Sequence, residues 1–134
     1  MREVNVLDGD FKNEVASRPG GERVKNCFLC GTCTAGCPVS SIDGTYNPRA
    51  IMSKILLGMK EEVLSSQEIW QCHQCHTCVA HCPQDVRFAD VVRVIRQIMV
   101  EEGRADKELP EKIEKLDADL KNRRMEEVRK MIAG

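Results

Sequence analysis

The chain has 134 residues, a formal charge of −1, and only three Phe, one Trp and one Tyr. That is one small domain's worth with little aromatic mass for a core, and a charge so near zero gives no electrostatic case for nucleic acid or an anionic membrane surface. No stretch approaches the ~18 apolar residues of a membrane span, and Met1-Arg2-Glu3-Val4-Asn5 lacks the regions of a signal peptide, so a cytoplasmic, reducing compartment is expected.

Along the chain, Asp10-Phe11-Lys12-Asn13-Glu14-Val15 reads as a short helix with Phe11 and Val15 on one face, stopped by Pro19-Gly20-Gly21. A first cysteine run comes next, Cys27-x2-Cys30-x2-Cys33-x3-Cys37-Pro38, in which Gly31 and Gly36 allow close backbone approach and tight turning. Asn47-Pro48 reads as an N-cap with proline at the first helical position. That helix runs to about Gly58, with Ile51, Met52, Ile55, Leu56 and Met59 on its stripe. Ser65-Ser66-Gln67-Glu68 has the form of a capping box and opens a helix carrying Ile69 and Trp70 into a second run. The second run, Cys72-x2-Cys75-x2-Cys78-x3-Cys82-Pro83, repeats the first at an offset of 45 residues. Phe88, Val91, Val92, Ile95 and Met99 then mark a longer amphipathic helix that Gly103 ends. Such stripes are core by default.

All eight cysteines fall on these two runs, and this spacing is the bacterial-type signature for a [4Fe–4S] cluster. A disulfide framework would need an oxidising, secreted context. Structural zinc would pair two Cys-x2-Cys knuckles rather than three crowded cysteines followed by Cys-Pro. Two cubanes consume eight thiolates, which leaves no iron open to substrate and no cysteine free as a nucleophile. The sequence describes an electron wire with no catalytic residue of its own. Metal clusters also act as staples in so small a domain. No period-2 segment appears, and the stretch between Cys37 and Cys72 reads as helix, turn, helix. The expected fold is all-α: a helical ferredoxin with two pseudo-symmetric helix–loop–helix halves around the clusters. The expected organisation is an N-terminal segment over 1–21, a two-cluster domain over 22–103 and a charged helical tail over 104–134.

Residues 22–100 resemble the C subunit of heterodisulfide reductase. The likeness is carried by Cys30-Gly31-Thr32-Cys33-Thr34-Ala35-Gly36-Cys37-Pro38-Val39, Asn47-Pro48-Arg49, Leu57-Gly58, Glu62-Val63-Leu64-Ser65-Ser66 and Ile69-Trp70-Gln71-Cys72. Similar helical modules occur in succinate dehydrogenases and glycolate oxidases, and the segments between the cysteine runs narrow the choice. The resemblance implies an electron-transfer component of a methanogenesis complex. A flavin-containing partner, fed from a hydrogenase or formate dehydrogenase, would supply electrons to it. A catalytic partner would take them to reduce a mixed disulfide. The Cys-Cys-Gly signature of that catalytic partner is absent, and so is the Cys-x4-Cys-x2-Cys run of a plant-type centre. Two other readings stand beside this one: the equivalent component of another flavin-based oxidoreductase, such as a sulfur-oxidising or dehydrogenase complex, and an iron–sulfur redox sensor or binding module.

In two-cluster ferredoxins the fourth cysteine of each run ligates the other cluster. Carried over, this implies one cluster on Cys27, Cys30, Cys33 and Cys82, and a second on Cys72, Cys75, Cys78 and Cys37. The second loop holds His73, His76 and His81, where the first is uncharged. Donors or positive charge there would give the second cluster the higher potential, unless these are simply solvated histidines. Residues 101–134 carry ten acidic and nine basic side chains. Pro110 is placed to start a helix, with Ile113, Leu116, Leu120, Val128 and Met131 on a narrow stripe that Arg124 interrupts, enough to split it in two. Either the tail folds back as a solvated terminal helix, or it is a docking arm for a groove on a partner protein.

Overall fold

The computed structural model describes residues 6–134; Met1–Asn5, where no leader is expected, lie outside them. The described residues form helices and turns with no strand, an all-α helical ferredoxin. They divide into two compact units, one ending at Arg104 and one running from Ala105 to Gly134.

In the first unit, α1 (Phe11–Ala16) buries Phe11 and Val15 completely and ends before the tight turn at Gly20. A 3-10 turn over Val24–Asn26 leads into the first cysteine loop. Two short helices come next, α2 (Thr32–Ala35) inside the loop and α3 (Pro38–Ile42) directly after its last cysteine. Asn47 caps α4 (Pro48–Leu56) by accepting from the Ala50 N–H at 3.0 Å, as its position before Pro48 predicts.

The α4 stripe stops one turn earlier than its periodicity suggests. Gly58 at φ +78 breaks it, the Met59 N–H closes back on Lys54 O at 2.9 Å, and Met59 instead precedes α5 (Lys60–Ser65). The expected capping box does not form. Ser65 is the last residue of α5, where its hydroxyl donates to Glu61 O at 2.6 Å, so it is not free to cap the next turn. Ser66 bonds to the Glu68 carboxylate, and Gln67–Gln71 winds as a 3-10 turn that buries Ile69.

The second loop contains α6 (Thr77–His81), and the core helix α7 (Phe88–Glu101) closes the unit. Phe88, Val91, Val92, Ile95 and Met99 are buried as their stripe predicts; Ala89, Val94, Arg96 and Ile98 are buried as well. The helix is covered on several sides, by α1, α5, α6 and the second 3-10 turn. Past its end, the Arg104 N–H bonds Met99 O at 2.8 Å across Gly103. No helix is long and apolar enough to cross a membrane among the described residues.

The second unit holds one continuous helix, α8 (Leu109–Ala133), with Pro110 in its first turn. Arg124 does not split it: a charged residue narrows an apolar stripe without interrupting the backbone ladder, which only proline or a strained φ would do. Leu116, Leu120, Met125, Met131 and Ile132 are exposed.

Candidate iron–sulfur centres

The two cysteine loops repeat in backbone as well as in sequence. Leu29 and Gln74, 45 residues apart, both sit in the left-handed region at φ +60 and +57, and so do Gly31 and His76 at +85 and +62. This crankshaft folds three cysteines around one point before the single helical turn of α2 or α6 carries the chain away. The left-handed geometry costs an L-residue energy, so its recurrence at two non-glycine positions of the second loop marks a shape the site requires. Gly31 fits the role expected of it. Gly36 does not: its φ of −96 is ordinary, and a Cβ there would only touch Thr77 Cγ2 at 3.5 Å.

Two hollows result. The first, of about 420 Å³ counted out to solvent, is ringed by Cys27, Cys30 and Cys33, with Cys82 and Cys78 arriving from the second loop. The second, of about 330 Å³, is ringed by Cys72, Cys75 and Cys78, with Cys37 arriving from the first. Cys78 lines both, so the hollows share a wall. None of the eight cysteines is paired in a disulfide. They ring space rather than converge on one point: among the described residues, no three His, Cys, Asp or Glu side chains are grouped to hold a single metal ion.

The thiol environment is graded. Burial pushes Cys33 and Cys78, the third cysteine of each run, above the ordinary thiol value, Cys78 to about 11. Burial likewise raises Cys27, with the neighbouring Cys82 contributing. Exposed Cys30 is lowered, chiefly by hydrogen bonding with Thr32. Iron would displace the proton from each, since the thiolate is the ligand.

Backbone N–H groups and hydroxyls surround the sulfurs. The Leu29 N–H reaches Cys27 Sγ at 3.4 Å, the Ser40 N–H Cys37 Sγ at 3.5 Å, and the Val86 N–H Cys82 Sγ at 3.4 Å. Thr32 and Thr77 hydroxyls lie 3.3 Å from Cys30 and Cys75 Sγ. A ring of thiols lined by backbone N–H donors, with two threonine hydroxyls in reach, fits an anionic iron–sulfur core, whose sulfurs accept such bonds.

Three residues at the site carry no signal in the cysteine motif. Tyr46 is buried against the second hollow, and burial, with the nearby Cys72 contributing, holds the phenol well above its usual value. Arg96, only 8% exposed, donates to Ile69 O at 3.0 Å and to Cys72 O at 2.7 Å, its guanidinium over the Trp70 ring. Arg49 borders the first hollow and donates to Leu29 O at 2.7 Å. A lone Tyr before a helix, and Arg residues on helices, read as core or solvated face; only their long-range partners reveal otherwise. The three histidines of the second loop are all exposed, with His73 and His76 at the hollow's rim.

Comparison with known proteins agrees with this site. Residues 23–86 match the 4Fe-4S dicluster domain. The chain is 35% identical over 108 residues to the C subunit of the H(2):CoB-CoM heterodisulfide,ferredoxin reductase of Methanothermobacter thermautotrophicus, covering 77% of this chain and 57% of that relative. The C2 subunit of the H(2)/formate:CoB-CoM heterodisulfide,ferredoxin reductase of Methanococcus maripaludis is 35% identical over 110 residues, 77% of this chain and 59% of the relative. The second iron-sulfur C subunit of the CoB--CoM heterodisulfide reductase of Methanocaldococcus jannaschii is 40% identical over 80 residues, 60% of this chain and 42% of the relative. The chain thus spans between 42% and 59% of the length of these relatives. It is an iron–sulfur protein with two [4Fe–4S] clusters.

Proposed function

We propose that this chain, similar over residues 23–86 to the 4Fe-4S dicluster domain and at 35–40% identity to heterodisulfide reductase C subunits, relays electrons from a flavin-containing partner to a disulfide-reducing catalytic partner. Cys27, Cys30, Cys33 and Cys82 hold one cluster in this reading, and Cys72, Cys75, Cys78 and Cys37 the other. The clusters supply one-electron storage and transfer; the protein supplies ligands, spacing and electrostatics. The observation that carries the reading is the pair of adjoining hollows, each lined by three cysteines of one loop and the fourth of the other, with Cys78 in their common wall. Adjoining sites favour rapid exchange between clusters. With all eight cysteines assigned to ligation, the chain has no thiol left for substrate chemistry.

The relatives are named for hydrogen and formate as well as for the heterodisulfide, which supports a hydrogenase or formate dehydrogenase upstream. The α8 unit serves here as the arm that docks this chain to its partner, its exposed Leu116 and Leu120 entering a helix-binding groove. The test of the relay is anaerobic reconstitution of the flavin-containing and catalytic partners with and without this chain. Electron delivery from the reduced flavin protein to the catalytic one should depend on the chain and be lost when its clusters are removed. Equal delivery without it would end the proposal.

Ligand exchange between loops has its own test. If the sets cross as proposed, Cys27→Ser with Cys82→Ser damages one cluster and leaves about half the iron in an intact cubane. If each run ligates its own cluster, the same pair disturbs both, and the spectrum of an undisturbed cubane disappears.

A further inference from the structure

Superposing the two loops by their 45-residue offset shows that the first cysteine of each run lives in a different environment. Cys27 Sγ accepts one bond from the protein, the Leu29 N–H at 3.4 Å. Its counterpart Cys72 has three side chains about it: Gln74 Nε2 donates to its Sγ at 3.4 Å, Arg96 holds its carbonyl at 2.7 Å, and the buried Tyr46 lines the same hollow. None of the three is matched at the other loop: by the 45-residue offset Gln74 corresponds to Leu29, Arg96 to Ile51, and Tyr46, nine residues past Cys37, to Val91, nine residues past Cys82.

Gln74 is the informative one. It takes the same left-handed backbone as Leu29 and bears a second cost that Leu29 does not, because its Oε1 is buried without a hydrogen-bond partner. The opposite amide orientation would turn the carbonyl oxygen toward both Cys72 sulfur and Ala89 O, two acceptors; the N–H faces them instead, and it also donates to Ala89 O at 3.2 Å. An amide kept at that cost points to the bond it makes to sulfur.

We infer that Gln74, Tyr46 and Arg96 converge on Cys72 to set the second cluster at the higher potential, making it the end of the wire where electrons collect. Hydrogen bonds and positive charge at cluster sulfurs favour the reduced, more negative core. In a buried setting both act at low effective dielectric. Arg49 works in the opposite sense at the first hollow, but it is solvent-exposed and its charge is screened. The exposed histidines are screened in the same way, so the ordering expected from them arises from other residues. The inference rests on the two-cluster, crossed-ligand reading.

The experiment is a spectroscopic redox titration of the full chain with both clusters loaded, iron and sulfide content being measured for every variant. Gln74→Leu copies the first loop into the second, and Leu29→Gln does the reverse. The higher potential should fall in Gln74→Leu and in Tyr46→Phe while the lower one stays. The lower should rise in Leu29→Gln. Each shift should be about tenfold in the oxidised-to-reduced ratio at fixed solution potential, which for one electron is about 59 mV. Eight irons retained with both potentials unmoved in all three variants, or a fall in the lower potential on Gln74→Leu, overturns the inference and leaves the relay standing. Wild-type chain that cannot hold eight irons fails the underlying reading instead. Should Tyr46→Phe disturb loading, the two loop variants decide the matter, since both residues are only half-buried.

Discussion

Arg96 shows what a single residue can do that its place in the pattern hides. It lies within the α7 stripe, beside Ile95, where a helical wheel reads it as a solvated flank. Its guanidinium instead satisfies the carbonyls of Ile69 and Cys72, some 27 and 24 residues earlier, and stacks on Trp70. A planar fork is suited to two carbonyls at once in a way an ammonium is not. Arg96→Ala would leave both acceptors without this donor at about 1–3 kcal/mol each, so an overall loss near ~3 kcal/mol is expected as a lower urea midpoint with unchanged slope. Arg96→Lys should recover only part of it. A midpoint within experimental scatter of wild type would show that the carbonyls find water. The cysteines themselves were legible because ligand spacing is local; Arg96, Tyr46 and Gln74 were not, because their partners are set by tertiary packing.

At the scale of elements, the stripes of α4 and α7 were readable from their period, and so were the cap at Asn47 and the stop near Gly103. Periodicity could not show that the segment after α4 contains its own short helix. The reason is Gly58, whose backbone both ends α4 and takes part in packing against the N-terminal segment: the Asp8 N–H bonds Gly58 O at 2.8 Å. A Cβ at Gly58 would stand 2.2 Å from Asp8 O. The junction is further tied by charge, with Lys60 reaching Glu14 at 3.0 Å and Glu102 at 3.1 Å, and Arg18 reaching Glu101 at 2.7 Å. These link α1, α5 and the end of α7, though as half-exposed pairs they contribute little individually. Gly58→Ala therefore costs at least the ~1–2 kcal/mol of a left-handed L-residue, plus displacement of the N-terminal segment. Anaerobic thermal unfolding of the loaded chain should show the drop, and faster proteolysis before Phe11 should accompany it. If stability falls while cleavage there stays at the wild-type rate, the clash is relieved elsewhere than at Asp8.

For the whole molecule, both hollows and every residue lining them belong to the unit that ends at Arg104. The unit from Ala105 onward contains no cysteine and buries none of its side chains. A 25-residue helix rich in charge, with (i, i+4) pairs such as Glu111–Lys115 at 2.9 Å, gains a little from each such pair. Its exposed Leu116 and Leu120 form an apolar edge that is stabilising only when buried against another surface. In the function proposed, electron storage belongs to one unit and attachment to the other. Deleting residues 105–134 should leave the iron content and both potentials unchanged while reducing co-purification with the partner proteins at least tenfold. Leu116→Asp with Leu120→Asp in the full chain should do the same by charging the stripe, without shortening the helix. Undiminished co-purification in both variants would move the docking surface onto the cluster unit, and loss of iron on truncation would mean that the tail serves folding instead.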